Sequence, residues 1–341
     1  MKKVTIEDVA RAAGVGKGTV DRVIHNRGRV SPETRQRVEK CIKELNYKPN
    51  MAARMLANRK AYKIAVIFHH YAKEFWDEVE VGIDKAYMEY MQMGVTVDKF
   101  ILPDIDIKKQ EEFIYKAIEE DYDGLALVPY NSPEINTAIR KALDKGIKVI
   151  VFNNDENCER LCYVGQNVYK SGRTAGLLMS MVAPPNSNYF VVLAAYESMK
   201  ALSRRFEGFE EVIKEKRPDL NQIGVCNCTK NEQAYEITTD LLKKQQVDVI
   251  YVTSSILSEV ARAVYDAKLS DKVILIGHDL PKAYDNYLLN GTVNISVNQE
   301  AEKQGYVIID KLCKHLLLNQ DTFEDYYTNI EIVVAENMTS V

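Results

Sequence analysis

The stretch Thr5-Ile6-Glu7-Asp8-Val9-Ala10-Arg11-Ala12-Ala13-Gly14-Val15-Gly16-Lys17-Gly18-Thr19-Val20-Asp21-Arg22-Val23-Ile24 decides how the rest of the chain is read. Thr5 can cap a helix with its hydroxyl, Asp8 completes a capping box, and Ile6, Val9, Ala10 and Ala13 form one apolar stripe. Gly14 ends that helix. The spacing over Lys17 to Ile24 predicts a second helix, with Val20, Val23 and Ile24 inward and Lys17, Gly18, Thr19, Asp21 and Arg22 outward. A short helix with such an exposed polar face can lie in a DNA major groove. A third helix opens at Ser31-Pro32-Glu33, where a capping serine precedes proline at the first helical position, and it carries Val38, Ile42 and Leu45 on one face. Three such stripes suffice for the core of a small helical head.

Charge separates this head from the remainder. Residues 1 to 60 contain 15 Lys or Arg against 6 Asp or Glu, a net of +9, whereas the other residues contain 30 against 43, a net of −13. A basic head on an acidic body fits a partner made of phosphates, and affinity of that kind falls steeply with salt.

Val4 to Val15, Thr19 to Val23, Val30-Ser31-Pro32-Glu33-Thr34-Arg35, Leu45-Asn46-Tyr47-Lys48-Pro49-Asn50, Ala53-Arg54 and Leu56 together resemble the head of the lactose/galactose repressor (LacI/GalR) family. The resemblance implies a homodimer on a near-palindromic operator in double-stranded DNA. It places Lys17, Gly18 and Arg22 against bases and Thr19 on phosphate, with Thr5, Asn50 and Ala53 as further DNA contacts. It also implies a hinge helix from Met51 to Asn58 that folds on DNA and wedges Leu56 into a minor-groove step. Gly16 and Asp21 depart from the family, which usually has Ser at both positions. Gly18 offers no side chain to a base, so specificity there must come from Lys17, Arg22 or DNA shape. A helix-turn-helix that binds protein instead of DNA is the bland alternative.

At 341 residues the chain exceeds one ordinary domain, and 46% apolar with 28% charged content is that of a soluble globular protein. Met1-Lys2-Lys3 leads straight into a helix pattern, and no stretch approaches the roughly 18 apolar residues of a membrane span. A cytoplasmic protein without membrane partners is expected. The cysteines at 41, 158, 162, 226, 228 and 313 lack the paired spacing of a zinc site, so ordinary thiols and no metal are expected.

Beyond Tyr62, strand-like runs alternate with amphipathic segments: Ile64 to Phe68, Val95 to Phe100, Gly124 to Val128, Lys148 to Phe152, Tyr189 to Ala194, Ile223 to Cys228, Val247 to Thr253, Val273 to Gly277 and Thr292 to Val297, with a last pattern at Asn329 to Ala335. This α/β series predicts parallel sheets covered by helices on both faces. The expected organisation is a helix-turn-helix domain over 1–49, a hinge helix and linker over 50–61, and a two-lobed body over 62–341. Lobe one is assigned 62–161 and 293–323, and lobe two 162–292 and 324–341.

The body resembles the regulatory domain of the same family, which is similar to periplasmic sugar-binding proteins of the ribose-binding type. Phe75-Trp76, Asn153-Asn154-Asp155 with Tyr163-Val164-Gly165, Arg205-x2-Gly208-Phe209, Gly277-x-Asp279, and Gln299 before Gly305 carry that likeness. It implies three crossings between lobes and a sugar closed in the cleft. A sugar presents vicinal hydroxyls that donate and accept, so its site needs planar multidentate groups and an aromatic face against the C–H side. Asn153, Asp155, Arg205, Asp279 and Gln299 supply the first, and Phe75 and Trp76 the second. Ser254 falls where the family often has a polar sugar contact. His69 and His70 end a strand at the cleft and point to opposite sides; His70 is taken as the ligand-facing one. Plainer readings stand beside these: Phe75 and Trp76 as core, Asn153 as a turn residue, Arg205 in a surface ion pair, Asp279 as a helix cap.

No GxxxxGK[ST], GxGxxG, HExxH or GxSxG signature occurs, and the acidic pair Asp104 and Asp106 has no third ligand, so neither an enzyme nor a cofactor is expected. The whole reads as a sequence-specific transcriptional regulator, a repressor, modulated by a sugar or sugar derivative. A regulator governed by a protein co-effector is the alternative.

Overall fold

The computed structural model describes residues 4–24, 28–45, 47, 61–70, 73–155, 158–194, 200–228 and 231–338. The head forms α1 (Ile6–Ala13), α2 (Lys17–Ile24) and α3 (Pro32–Glu44). Both arms of the capping box are made: the Asp8 amide donates to Thr5 Oγ1 at 3.3 Å, and the Thr5 amide donates to Asp8 Oδ2 at 2.9 Å. Gly14 takes φ 63°, the left-handed turn that glycine enters without strain. Val9, Ala10, Ala13, Val20, Val23 and Val38 close the head's core, so each of the three stripes faces inward. The hinge segment lies outside the described residues.

Among the described residues twelve strands build two sheets: β1 (Tyr62–His69), β2 (Val95–Leu102), β3 (Gly124–Leu127), β4 (Lys148–Phe152), β5 (Cys162–Gly165), β6 (Asn188–Ala194), β7 (Asn221–Cys228), β8 (Val249–Val252), β9 (Ile274–His278), β10 (Ile295–Asn298), β11 (Tyr326–Tyr327) and β12 (Glu331–Val333). The strand orders are β11-β5-β4-β3-β1-β2 and β12-β10-β9-β8-β6-β7, so apart from the edge strands β11 and β12 the second lobe repeats the topology of the first, five strands on. Every pairing is parallel except that of β10 with β12. The covering helices are α4 (Lys73–Tyr90), α5 (Ile107–Glu119), α6 (Pro133–Asp144), α7 (Val168–Val182), α8 (Lys200–Lys216), α9 (Asn231–Lys244), α10 (Leu257–Asp266), α11 (Asn286–Leu289) and α12 (Ala301–Leu318). Alternation along β1 shows the layering. Ile64, Val66 and Phe68 pack on Val79, Ile83 and Ile308, whereas Ala65 and Ile67 pack on Ile114 and Ile135. No helix among the described residues is long and apolar enough to cross a membrane.

The lobe boundaries differ from the expectation. Cys162–Gly165 and Tyr326–Tyr327 join the first sheet and Ile295–Asn298 the second, because strands this short have a place only where parallel neighbours supply hydrogen bonds. The chain therefore passes between lobes after Gly165, after Asn298 and after Tyr327. Gln166, buried in the first crossing, donates its side-chain amide to the Asn298 carbonyl at 3.0 Å and the Asn329 carbonyl at 3.1 Å, tying all three together.

Two helix pairs hold the lobes rigid through glycine. A Cβ on Gly82 of α4 would lie 1.8 Å from the Glu302 carbonyl oxygen of α12, and one on Gly172 of α7 would lie 1.8 Å from the Arg205 carbonyl oxygen of α8. The second contact fixes the helix that carries a cleft residue.

Candidate functional site

The strand order reverses between β1 and β3 in one lobe and between β6 and β8 in the other, and such switch points open crevices at the carboxyl ends of strands. The two face each other across a cavity of about 70 Å³, lined among others by His69, Trp76, Asn153, Arg205, Ser254 and Asp279. That is less than half the roughly 150 Å³ that admits benzene in an engineered cavity. This innermost space is too small for a sugar ring as it stands, and a cavity of about 550 Å³ adjoins it, sharing Phe75, Asp279 and Gln299.

Arg205 reaches the floor from α8 and is 3% exposed. Its Nη1 donates to the Thr253 carbonyl at 2.7 Å and stands 4.0 Å from Asp279 Oδ2. Gln299 donates its side-chain amide to the same Asp279 oxygen at 2.7 Å, and Asn153 Nδ2 points to Gln299 Oε1 at 3.4 Å. Asn153 and Asp279 follow strands β4 and β9 with φ of 61° and 54°. Asn and Asp tolerate that left-handed geometry best among non-glycine residues, and it turns both side chains into the cleft. Burial raises the Asp279 carboxyl to about 6, against the pull of Arg205 downward. Burial, aided by His70, lowers His69 to about 3, so its imidazole is neutral at physiological pH.

Several cavity polar atoms have no hydrogen-bond partner among the described residues: both ring nitrogens of His69, Arg205 Nε and Ser254 Oγ. Trp76 packs its ring 4.7 Å from His69 and 5.1 Å from Phe75, both edge-on. Trp76 is thus core and cavity wall at once, because it joins the cluster of Phe68, Val79 and Phe152 while lining the cleft.

Phe75, Trp76, Asn153, Arg205, Ser254, Asp279 and Gln299 are brought together. Two expectations fail. His70 faces α4, with Nε2 3.7 Å from Glu80, and its neighbour His69 lines the cavity. Alternation along β1 separates the pair but does not reveal which face meets the second lobe. Asp155 is exposed and bound to Arg160 at 3.0 Å, where the guanidinium also holds Asp325 at 2.9 Å, so it braces the crossing region instead of lining the cavity. Apolar lining from Val168, Ala194 and Leu202 was missed, since nothing in such residues marks a site.

On the head, Lys17, Gly18 and Arg22 are exposed on α2 and Thr19 is half-buried beside them. Lys17 Nζ rests 3.1 Å from Glu7, and both side chains are largely exposed, so phosphate or a base edge can displace the pair cheaply. Thr5 caps α1. Asn50, Ala53 and Leu56 lie outside the described residues.

The family model described as "Bacterial regulatory proteins, lacI family" matches residues 5–50, and that described as "Periplasmic binding protein domain" matches residues 64–320. The chain belongs to the LacI family of regulators, with a periplasmic-binding-protein body. Among relatives of this LacI-family chain, the HTH-type transcriptional regulator MalR of Streptococcus pneumoniae is 26% identical over 285 residues, covering 75% of this chain and 77% of that protein. The ribose operon repressor of Halalkalibacterium halodurans is 25% identical over 287 residues, covering 81% and 80%. In fold the LacI-family body is similar to GanP, a glucose-galactose binding protein from Geobacillus stearothermophilus, with TM-score 0.73 at 22% identity over 82% of this chain and 99% of that one. It is also similar to a solute binding protein from Burkholderia graminis in complex with D-arabinose, with TM-score 0.76 at 19% identity over 83% and 99%. A LacI-family regulator couples a DNA-binding head to a ligand-responsive body, and both parts are present here.

Proposed function

We propose that this regulator represses transcription from a near-palindromic operator and that an uncharged sugar in the inter-lobe cavity changes its operator affinity. The observation that carries the ligand class is the charge balance of the cavity. Arg205 and Asp279 neutralise each other, His69 is neutral, and of the orphan atoms those of His69 and Ser254 can donate and accept while Arg205 Nε donates. Hydroxyls satisfy such groups; a phosphate would need a second cation, and none lines the cavity among the described residues. The rings of Phe75 and Trp76 suit the C–H face of a sugar ring.

In this reading the lobes exchange between closed and parted arrangements, and a ligand shifts that equilibrium only by binding one better than the other. The three crossings tied by Gln166 are where that motion is absorbed. In this reading Lys17, Gly18 and Arg22 meet bases, Thr5, Thr19, Asn50 and Ala53 hold the backbone, and Leu56 kinks the centre. A dimer follows from one recognition helix per half-site. Its apolar contact is assigned to exposed Val81 and Met88 on α4 and to Leu177 and Met181 on α7, the two methionines being 66% and 73% exposed.

The test is thermal unfolding against a panel of neutral sugars, polyols and sugar phosphates. A hundredfold excess over the dissociation constant adds about 2.7 kcal/mol to the native state. A neutral, stereoselective hit that also changes operator affinity supports the reading. Hits confined to sugar phosphates overturn the ligand class, and none at all transfers control to a protein co-effector.

A further inference from the structure

We infer that His70, Asp77 and Glu80 form a binding site for a divalent transition-metal ion at the base of α4. The histidine ring nitrogen and one oxygen from each carboxylate lie within 4.8 Å of one another. Asp77 and Glu80, three apart on α4, share a helix face. His70 is fixed from the other side, its amide donating to the Leu102 carbonyl at 2.8 Å. Its Nε2 is buried and has no hydrogen-bond partner among the described residues; Glu80 Oε2 lies 3.7 Å away.

Two lysines already pair with these carboxylates, so an ion must displace Lys73, which holds both oxygens of Asp77, and tolerate Lys99 beside Glu80. Lys99 Nζ lies 3.3 Å from Glu80 Oε1 and 3.0 Å from Asp84, which orients Glu80 and leaves its other oxygen turned to His70. Lys73 holds Asp77 at 2.7 Å from an exposed position, where the pair is readily displaced. Bonds of about 2.0–2.2 Å to nitrogen and oxygen place tetrahedral ligands roughly 3.3 Å apart, so side-chain rotation of about an ångström completes the site. One imidazole with two carboxylates selects zinc or a similar borderline ion over magnesium or calcium, which take oxygen donors. Because Asp77 follows Phe75 and Trp76, a bound ion pins the first turn of α4 to the end of β1, where those rings enter the cavity.

The experiment is calorimetric titration of chelator-treated full-length protein with zinc chloride and, separately, magnesium chloride, with the fluorescence of Trp76, the only tryptophan, read in parallel. One zinc per chain is expected, with a change in tryptophan emission and no saturable magnesium binding. His70→Gln and Glu80→Gln should abolish the zinc transition, as should Asp77→Asn, whose half-exposed side chain can be changed without harm to the fold. Zinc binding that persists in all three variants, or magnesium binding as tight as zinc, overturns the assignment. So does the absence of saturable binding in the unmodified protein.

Discussion

Asp279→Asn tests the electrostatics of the cleft through stability. The carboxyl is shifted from its ordinary 3.8 to about 6, chiefly by burial. A group raised in the folded state contributes stability below its unfolded value, and that contribution is lost as pH rises through the folded one. At pH 7.5 ionisation favours the unfolded chain by about 5 kcal/mol and the folded chain by about 2 kcal/mol, at 1.36 kcal/mol per pH unit. Asparagine keeps the shape, can accept from Gln299, and forgoes ionisation in both states. The variant should therefore be more stable by about 3 kcal/mol at pH 7.5, with the gap falling to about half at pH 5 as the unfolded chain loses its advantage. Urea unfolding of both proteins at the two pH values reads this directly. The same variant should lose its effector response. A variant no more stable than the parent at pH 7.5, or a gap that does not narrow toward pH 5, would refute the argument.

Other consequences are local. Arg22→Ala should cost about 1–3 kcal/mol on the preferred operator and little on unrelated DNA if the contact is to a base; equal losses on every sequence in an anisotropy titration would assign it to phosphate. Gly82→Ala should destabilise by about 3 kcal/mol, because a Cβ 1.8 Å from the Glu302 carbonyl forces α4 and α12 apart. A urea midpoint close to that of the unmodified protein would show that the contact is not tight. Gln166→Leu removes the donor to two crossing carbonyls and should cost about 1–3 kcal/mol while exposing the crossings to protease; unchanged cleavage would mean that the backbone alone sets the hinge.

Much of this architecture was legible because its signals are local. Caps at Thr5 and Ser31, the stop at Gly14 and the three apolar stripes specify the head without reference to the rest of the chain. The β-runs were found at their centres, as at Lys148–Phe152, because buried parallel strands read as apolar blocks. Cys162–Gly165 and Tyr326–Tyr327 escaped notice, being strands of four and two residues that exist only through their neighbours. Polar cleft residues after strands were visible for the same reason that switch points bind ligands. Which of His69 and His70 lines the cavity was not, since that depends on a lobe about a hundred residues further along the chain. Asp155 was misread because a turn carboxylate beside a site and one within it look alike until Arg160 is seen to hold it.

The most direct test of the central claim is selection of DNA by the full-length protein from random duplexes, followed by titration of the enriched sequence with and without the sugar that raises thermal stability. Enrichment of a near-palindrome, and a change in its affinity of about fivefold or more with the sugar, is the predicted result. A sugar that binds while leaving operator affinity unchanged would contradict the coupling of cleft to head, and failure to enrich any sequence would contradict the role of the head itself.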